Sequence, residues 1–148
     1  MFVVFAAPLL SENAMRMVEA AASLEGVRLG VITHDSADAL RHLHESVAHW
    51  QVQDIMNVDQ LVWATRELAF RKGPVERLFG AYEQLQVPLA EARSTLGLPG
   101  LSVEAATNFR DKARMKGPCE FSTCWASTSR IWARAPRSIS PTREAPTA

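Results

Sequence analysis

The sequence has no excess of charge of either sign, because its 148 residues carry 16 basic and 16 acidic side chains. That balance removes the global electrostatic argument for a nucleic-acid or acidic partner, so partner choice has to come from local sites. Long apolar runs are also missing. None approaches the ~20 residues that a membrane-spanning helix needs, and the apolar start Met1–Ala7 has no basic flank and stops at Pro8. That start is expected to be a buried strand and not a signal peptide, which implies a soluble, cytoplasmic protein. Cysteine is scarce: Cys119 and Cys124 have no second ligand pair, so they are read as free thiols and not as a zinc site or a disulfide framework.

Several nucleotide motifs are absent as well. Ala6-Ala7-Pro8-Leu9-Leu10 stands where a dinucleotide fingerprint would place Gly-x-Gly-x-x-Gly after the first strand. There is no Walker loop. No acidic residue precedes Glu12, which argues against a phosphate-accepting receiver domain. His34, His42, His44 and His49 invite a metal hypothesis, but His42 and His44 would lie on different sides of a helix and no carboxylate or thiol pattern completes a site. No metal is expected.

What is present is an alternation of β-like and helical segments. Phe2–Ala6 is continuously apolar, the pattern of a strand covered on both faces in a parallel sheet. Ser11 can cap a helix carrying Ala14, Met17, Val18, Ala21 and Leu24 at helical intervals, with Gly26 closing it. Val27–Thr33 is a second strand and completes a βαβ unit. Asp35 or Ser36 is placed to cap a short helix over Ala37–Glu45, and Val47–Val52 forms a third strand. Asn57 or Asp59 then caps a helix with Leu61, Ala64, Thr65, Leu68 and Ala69 on one face, ended by Arg71, Lys72, Gly73 and Pro74. Val75–Phe79 is a fourth strand. Gly80–Arg93 is mostly helical, with a break expected near Pro88.

This order predicts an α/β fold, a three-layer Rossmann-like domain with a small parallel sheet, followed by a linker helix and an irregular tail. Functional residues then belong in the loops after the strands, namely residues 7–13, 34–38, 53–57 and 80–84. Ser102 caps a further helix from Val103, with Glu104, Asn108, Lys112 and Lys116 on one polar stripe.

Leu96-Gly97-Leu98-Pro99-Gly100, then Asn108-Phe109-Arg110-Asp111-Lys112 with Met115 and Lys116, resembles the junction at which an ATP-grasp enzyme passes from its N-terminal α/β domain into its ATP-binding part. The resemblance covers roughly residues 1–116. It divides the chain into an α/β domain (1–95), a linker with the Asp-Lys helix (96–116) and an irregular tail (117–148). It implies the N-terminal fragment of a ligase whose full-length relatives, biotin carboxylases and carboxylate-amine ligases among them, use ATP and magnesium to activate a carboxylate that a nucleophile then attacks. Lys112 matches the lysine that reaches ATP phosphates. Ser11, Glu12, Asn13 and Glu83 are substrate-cleft candidates, the two glutamates as groups that orient a substrate amine, although surface carboxylates are far commoner.

Beyond Lys116 the apolar periodicity fails, and Ser, Thr, Pro and Arg accumulate. The small-domain strand, phosphate-covering loop and magnesium carboxylates of an ATP-grasp enzyme are not recognisable there. The expectation is a truncated or frame-shifted reading, inactive alone, with an uncovered apolar face around Phe109 and Met115 that favours self-association. The alternative is a stand-alone, non-catalytic α/β interaction module, without nucleic acid or membrane as partner.

Overall fold

The computed structural model describes residues 1–43 and 47–110, all within Met1–Lys112, the first of the two units into which the chain divides. In order along the chain stand β1 (Phe2–Ala6), α1 (Glu12–Ala22), β2 (Arg28–Thr33), a 3₁₀ helix (Ala37–Leu43), β3 (Val47–Gln51), α2 (Val58–Lys72), β4 (Arg77–Phe79), a short 3₁₀ helix (Glu83–Leu85), α3 (Gln86–Leu96) and α4 (Val103–Arg110). The four strands form one parallel sheet in the order β3-β2-β1-β4. Phe2 lies opposite Arg28, Leu29 opposite Val47, and Val3 opposite Arg77.

The unbroken apolar run of β1 is explained by its two covered faces. Phe2, Val4 and Ala6 pack with Leu61, Ala64 and Leu68 of α2 and with Leu89 and Ala92 of α3. Val3 and Phe5 turn the other way, towards Ala14 and Val18 of α1 and Leu40 of the first 3₁₀ helix. The sheet is thus the middle of three layers, which is the α/β architecture the alternation of elements predicts.

Helix boundaries follow local chemistry. Asn57 accepts from the N–H groups of Asp59 (2.9 Å) and Gln60 (3.2 Å) and so caps α2. Ser102 does the same for α4, accepting from Ala105 N at 3.2 Å. Gly97, at φ 67°, closes α3 in the left-handed conformation that glycine adopts without strain.

Several details differ from the sequence-based expectation, among them the start of β4, which lies at Arg77 and not at Val75. Helix α1 ends at Ala22, where Ser23 donates its N–H to the Glu19 and Ala21 carbonyls, and Gly26 belongs to the turn that enters β2. The Ala37 element is a 3₁₀ helix, and Asp35 does not cap it, because its carboxylate is engaged by Leu10. Pro88 does not break a helix, since it lies in the first turn of α3, where N–H groups have no intrahelical acceptor to lose. The same helix runs on past Arg93 to Leu96.

The burial of Arg93 is matched by backbone acceptors. Only 7% exposed, the residue donates to the Leu78 carbonyl of the edge strand β4 (3.0 Å) and to the Leu101 carbonyl of the loop before α4 (3.3 Å). Burial pushes its pKa below the ordinary arginine value. A Cβ on Gly100 would lie 2.8 Å from Arg93 Cδ and Nε, so that glycine is what lets the loop close over the guanidinium. Among the described residues no helix is long and apolar enough to cross a membrane.

Candidate functional site: a crevice between β1 and β4

Successive crossovers carry the chain from β1 outward to β2 and β3 and then back across to β4, so the winding reverses between β1 and β4. The loops leaving those two neighbours diverge, and a crevice opens at the carboxyl end of the sheet, the usual ligand position in open α/β folds. Here it has a volume of about 210 Å³ and is lined by Ser11, Asn13, Ala14, Met17, Ala81 and Tyr82.

The loop after β1 is fixed by the end of β2. Ala7 N donates to Ile32 O (3.0 Å), and Pro8 O accepts from His34 N (3.2 Å) and from the buried Thr33 hydroxyl (3.3 Å). Leu10 N donates to Asp35 Oδ2 at 2.6 Å, a charge-assisted bond and therefore the strongest of the set. The loop after β4 is fixed by close contact. A Cβ on Gly80 would lie 2.7 Å from Ala6 O and 2.8 Å from Leu89 Cδ1, which leaves room for glycine alone. Gln86 Nε2 then donates to the Gly80 and Tyr82 carbonyls at 2.9 and 3.2 Å.

Across the crevice the two loops meet. The Tyr82 hydroxyl donates to Leu9 O at 3.3 Å and lies 3.0 Å from Ser11 Oγ, which accepts from Ala14 N at 3.4 Å. With the phenolic hydrogen on Leu9, Ser11 is the donor to Tyr82, and all three contacts are satisfied together. The Tyr82 ring packs against the apolar clusters on both faces of the sheet, so the hydroxyl is placed by a rigid body. The Glu12 and Asn13 N–H groups, at the start of α1, have no described partner. They give the crevice a weakly positive rim, which favours an anionic or carbonyl oxygen. Among the described residues no charged side chain lines it.

Of the residues singled out by sequence, Ser11 and Asn13 line the crevice. Glu12 points to solvent, paired with Arg16 at 2.5 Å, and Glu83 is an exposed residue of the second 3₁₀ helix outside the lining. Lys112 lies outside the described residues, as do His44, Met115 and both cysteines. The other three histidines are occupied locally. His34 Nε2 accepts from Ile55 N at 2.9 Å, so its ring proton sits on Nδ1. His42 Nε2 lies 3.1 Å from Glu19 Oε1. His49 Nε2 donates to Asp35 O at 3.1 Å, and burial lowers its pKa, against the opposing pull of that bond and of the Asp35 charge. Among the described residues no group of three or more His, Cys, Asp or Glu is arranged to hold a metal ion.

Sequence reasoning placed Tyr82 in a cleft loop but gave it no role, and it missed Asp35 as a clamp. The signal for Tyr82 was available: it is the chain's single tyrosine and stands three residues after a strand.

No protein-family model matches the chain, and no curated protein does. Among solved structures it is similar to the crystal structure of an L-amino acid ligase from Bacillus licheniformis, with a TM-score of 0.52 and 16% identity. The match covers 76% of this chain and 28% of the ligase, so the chain spans well under half the length of the protein it matches. The likeness is one of fold: a small parallel sheet between helices, in an arrangement that an L-amino acid ligase also contains.

Proposed function

We propose that the described unit is the α/β portion of an ATP-grasp-type ligase acting in the cytoplasm, and that the β1–β4 crevice forms one wall of its substrate cleft. The observation that carries this reading is the Ser11–Tyr82 bridge across the point where the winding reverses, in a fold like that of an L-amino acid ligase. The substrate class is a small amino acid. Its carboxylate would take the free Glu12 and Asn13 N–H groups, and its polar remainder the Asn13 amide and the two hydroxyls. Met17 and Ala81 would cover its aliphatic part. At about 210 Å³ the crevice is below the ~300–1,000 Å³ of pockets for drug-sized ligands, which suits a substrate of that size.

The described residues do not fit ATP and magnesium. Among the described residues the crevice has no cation to hold phosphates, and no described carboxylate group can hold a metal. Full-length relatives use both, and in this reading Lys112 supplies one phosphate contact from beyond the described residues, as the sequence resemblance implies. The crevice residues bind and orient substrate and take no part in phosphoryl transfer. A phosphate-release assay on the purified chain with ATP, magnesium and a mixture of free amino acids tests the division. No release above background is expected, because preorganised cations at the transferring phosphate supply most of that catalysis. Amino-acid-dependent release, abolished by Ser11→Ala, would place the whole reaction in this chain and overturn it.

A further inference from the structure

Opposite the crevice, the sheet ends in an edge that nothing described covers. Val52 N donates to Thr33 O of β2 at 3.0 Å. The two-residue period of a strand therefore turns Ala48 and Trp50 towards β2, and His49 and Gln51 present their N–H and C=O groups outward. Among the described residues none of these groups has a hydrogen-bond partner. Parallel sheets in α/β folds usually protect such an edge with lysine, proline or a covering element on the edge strand, and Val47-Ala48-His49-Trp50-Gln51 has neither lysine nor proline.

A slot lies along this edge. One hollow of about 260 Å³ has β3 as its floor, with Leu40 of the first 3₁₀ helix on one side and Leu68, Arg71 and Lys72 of α2 on the other. A second, of about 280 Å³, shares Val47, Ala48 and Lys72 with it and adds Arg28. The two meet at Val47, Ala48 and Lys72, beside the first half of β3. Their walls belong to the layers above and below the sheet, which is where the side chains of one more strand would point.

The groove is basic. No described carboxylate pairs with Arg28, Arg71 or Lys72: Arg71 stacks on the Trp50 ring at 4.4 Å and Arg28 on the Phe2 ring at 5.5 Å. On the other wall Leu40 and Val47 are apolar and buried. A second copy of the chain would bring its own three cations against these, a like-charge contact that disfavours self-pairing. We propose that the β3 edge is a docking site for an extended segment of a partner protein, with alternating apolar and acidic side chains, added as a fifth strand. Backbone bonds to His49 and Gln51 supply the pairing, the apolar side chains enter on the Leu40 side, and the acidic ones meet Arg71 and Lys72.

The test uses the full chain and a labelled ten-residue peptide, blocked at both ends, in which valine and glutamate alternate. Fluorescence anisotropy is expected to report binding that weakens with salt, and amide hydrogen exchange to report slowing at His49 and Gln51. The exposed pair Arg71→Glu with Lys72→Glu is expected to weaken that binding about tenfold or more and to bind a valine–lysine peptide in its place. Failure of the glutamate peptide to bind, unchanged binding when its alternate residues are proline, or exchange slowed only outside β3 would each overturn the proposal. So would binding of a single-stranded oligonucleotide with no binding of the peptide.

Discussion

Ser11 and Tyr82 stand 71 positions apart, yet their hydroxyl oxygens are 3.0 Å from each other at the mouth of the crevice. The bridge joins the loop after β1 to the loop after β4, so it reports on whether the reversal point is assembled. Tyr82→Phe keeps the ring between the two apolar clusters and removes both hydrogen bonds. The contact is exposed to water, so the loss should fall at the lower end of ~0.5–1.5 kcal/mol. Ser11→Ala also removes the cap of α1 and should cost about 1 kcal/mol. Urea denaturation of the two single variants and the double variant checks this: the double should cost less than the sum of the singles, because both remove one shared bond.

Gly80→Ala should be more damaging than either. The added Cβ meets a backbone oxygen of β1, which cannot swing aside as a flexible side-chain tip would. A loss of about 1–3 kcal/mol is expected, the usual cost of overpacking. Gly26→Ala is a useful comparison, because nothing stands within 4 Å of that Cβ and only its positive φ of 73° is penalised. Thermal melts of both variants should rank Gly80→Ala lower.

Arg93 ties the β4 edge to the loop that leads into α4, and the prediction concerns that loop. Arg93→Met fills similar space but leaves the Leu78 and Leu101 carbonyls without their donor. Removal of a buried cation offsets part of that loss, so overall stability should change less than local order does. Amide exchange at Leu98, which donates to Arg93 O at 2.9 Å, should quicken in Arg93→Met. Unchanged exchange there would show that Gly97 and Gly100 hold the loop without the guanidinium.

His49 gives a pH signature with a definite sign. Burial lowers its folded pKa below the unfolded value of about 6.5. Above that value it is neutral in both states and its contribution is complete. As pH falls below it the unfolded chain takes up the proton first, and stability declines until the folded pKa is passed. His49→Gln should flatten that part of the stability–pH curve. Denaturation midpoints across the range from neutral to mildly acidic pH would reveal it.

The fold was legible where one residue pattern has one structural meaning. Phe2–Ala6 is apolar throughout because it is covered on both faces, and Asn57, Ser11 and Ser102 announce their helices by capping chemistry that is local. The order of the strands was not legible, since alternation of elements does not say which strand lies beside β1. Asp35 shows the same limit at a single residue. Its position suggested a cap three residues on, and its actual partner, Leu10, is 25 positions back. The candidate site divides likewise: Ser11, Asn13 and Tyr82 each follow a strand, but the Ser11–Tyr82 bridge exists only because β4 lies next to β1.

The most direct measurement is a titration of isotope-labelled full chain with free amino acids, followed by backbone amide resonances. Binding of a small ligand to an open crevice will be weak, so fast-exchange shifts are what to follow. The account predicts that shifts concentrate at Glu12, Asn13, Ala81 and Tyr82, follow one saturation curve, and shrink in Tyr82→Phe, with the β3 edge unmoved. Shifts absent from those four amides, or centred on another part of the sheet, would contradict the assignment of the β1–β4 crevice as a substrate-facing wall.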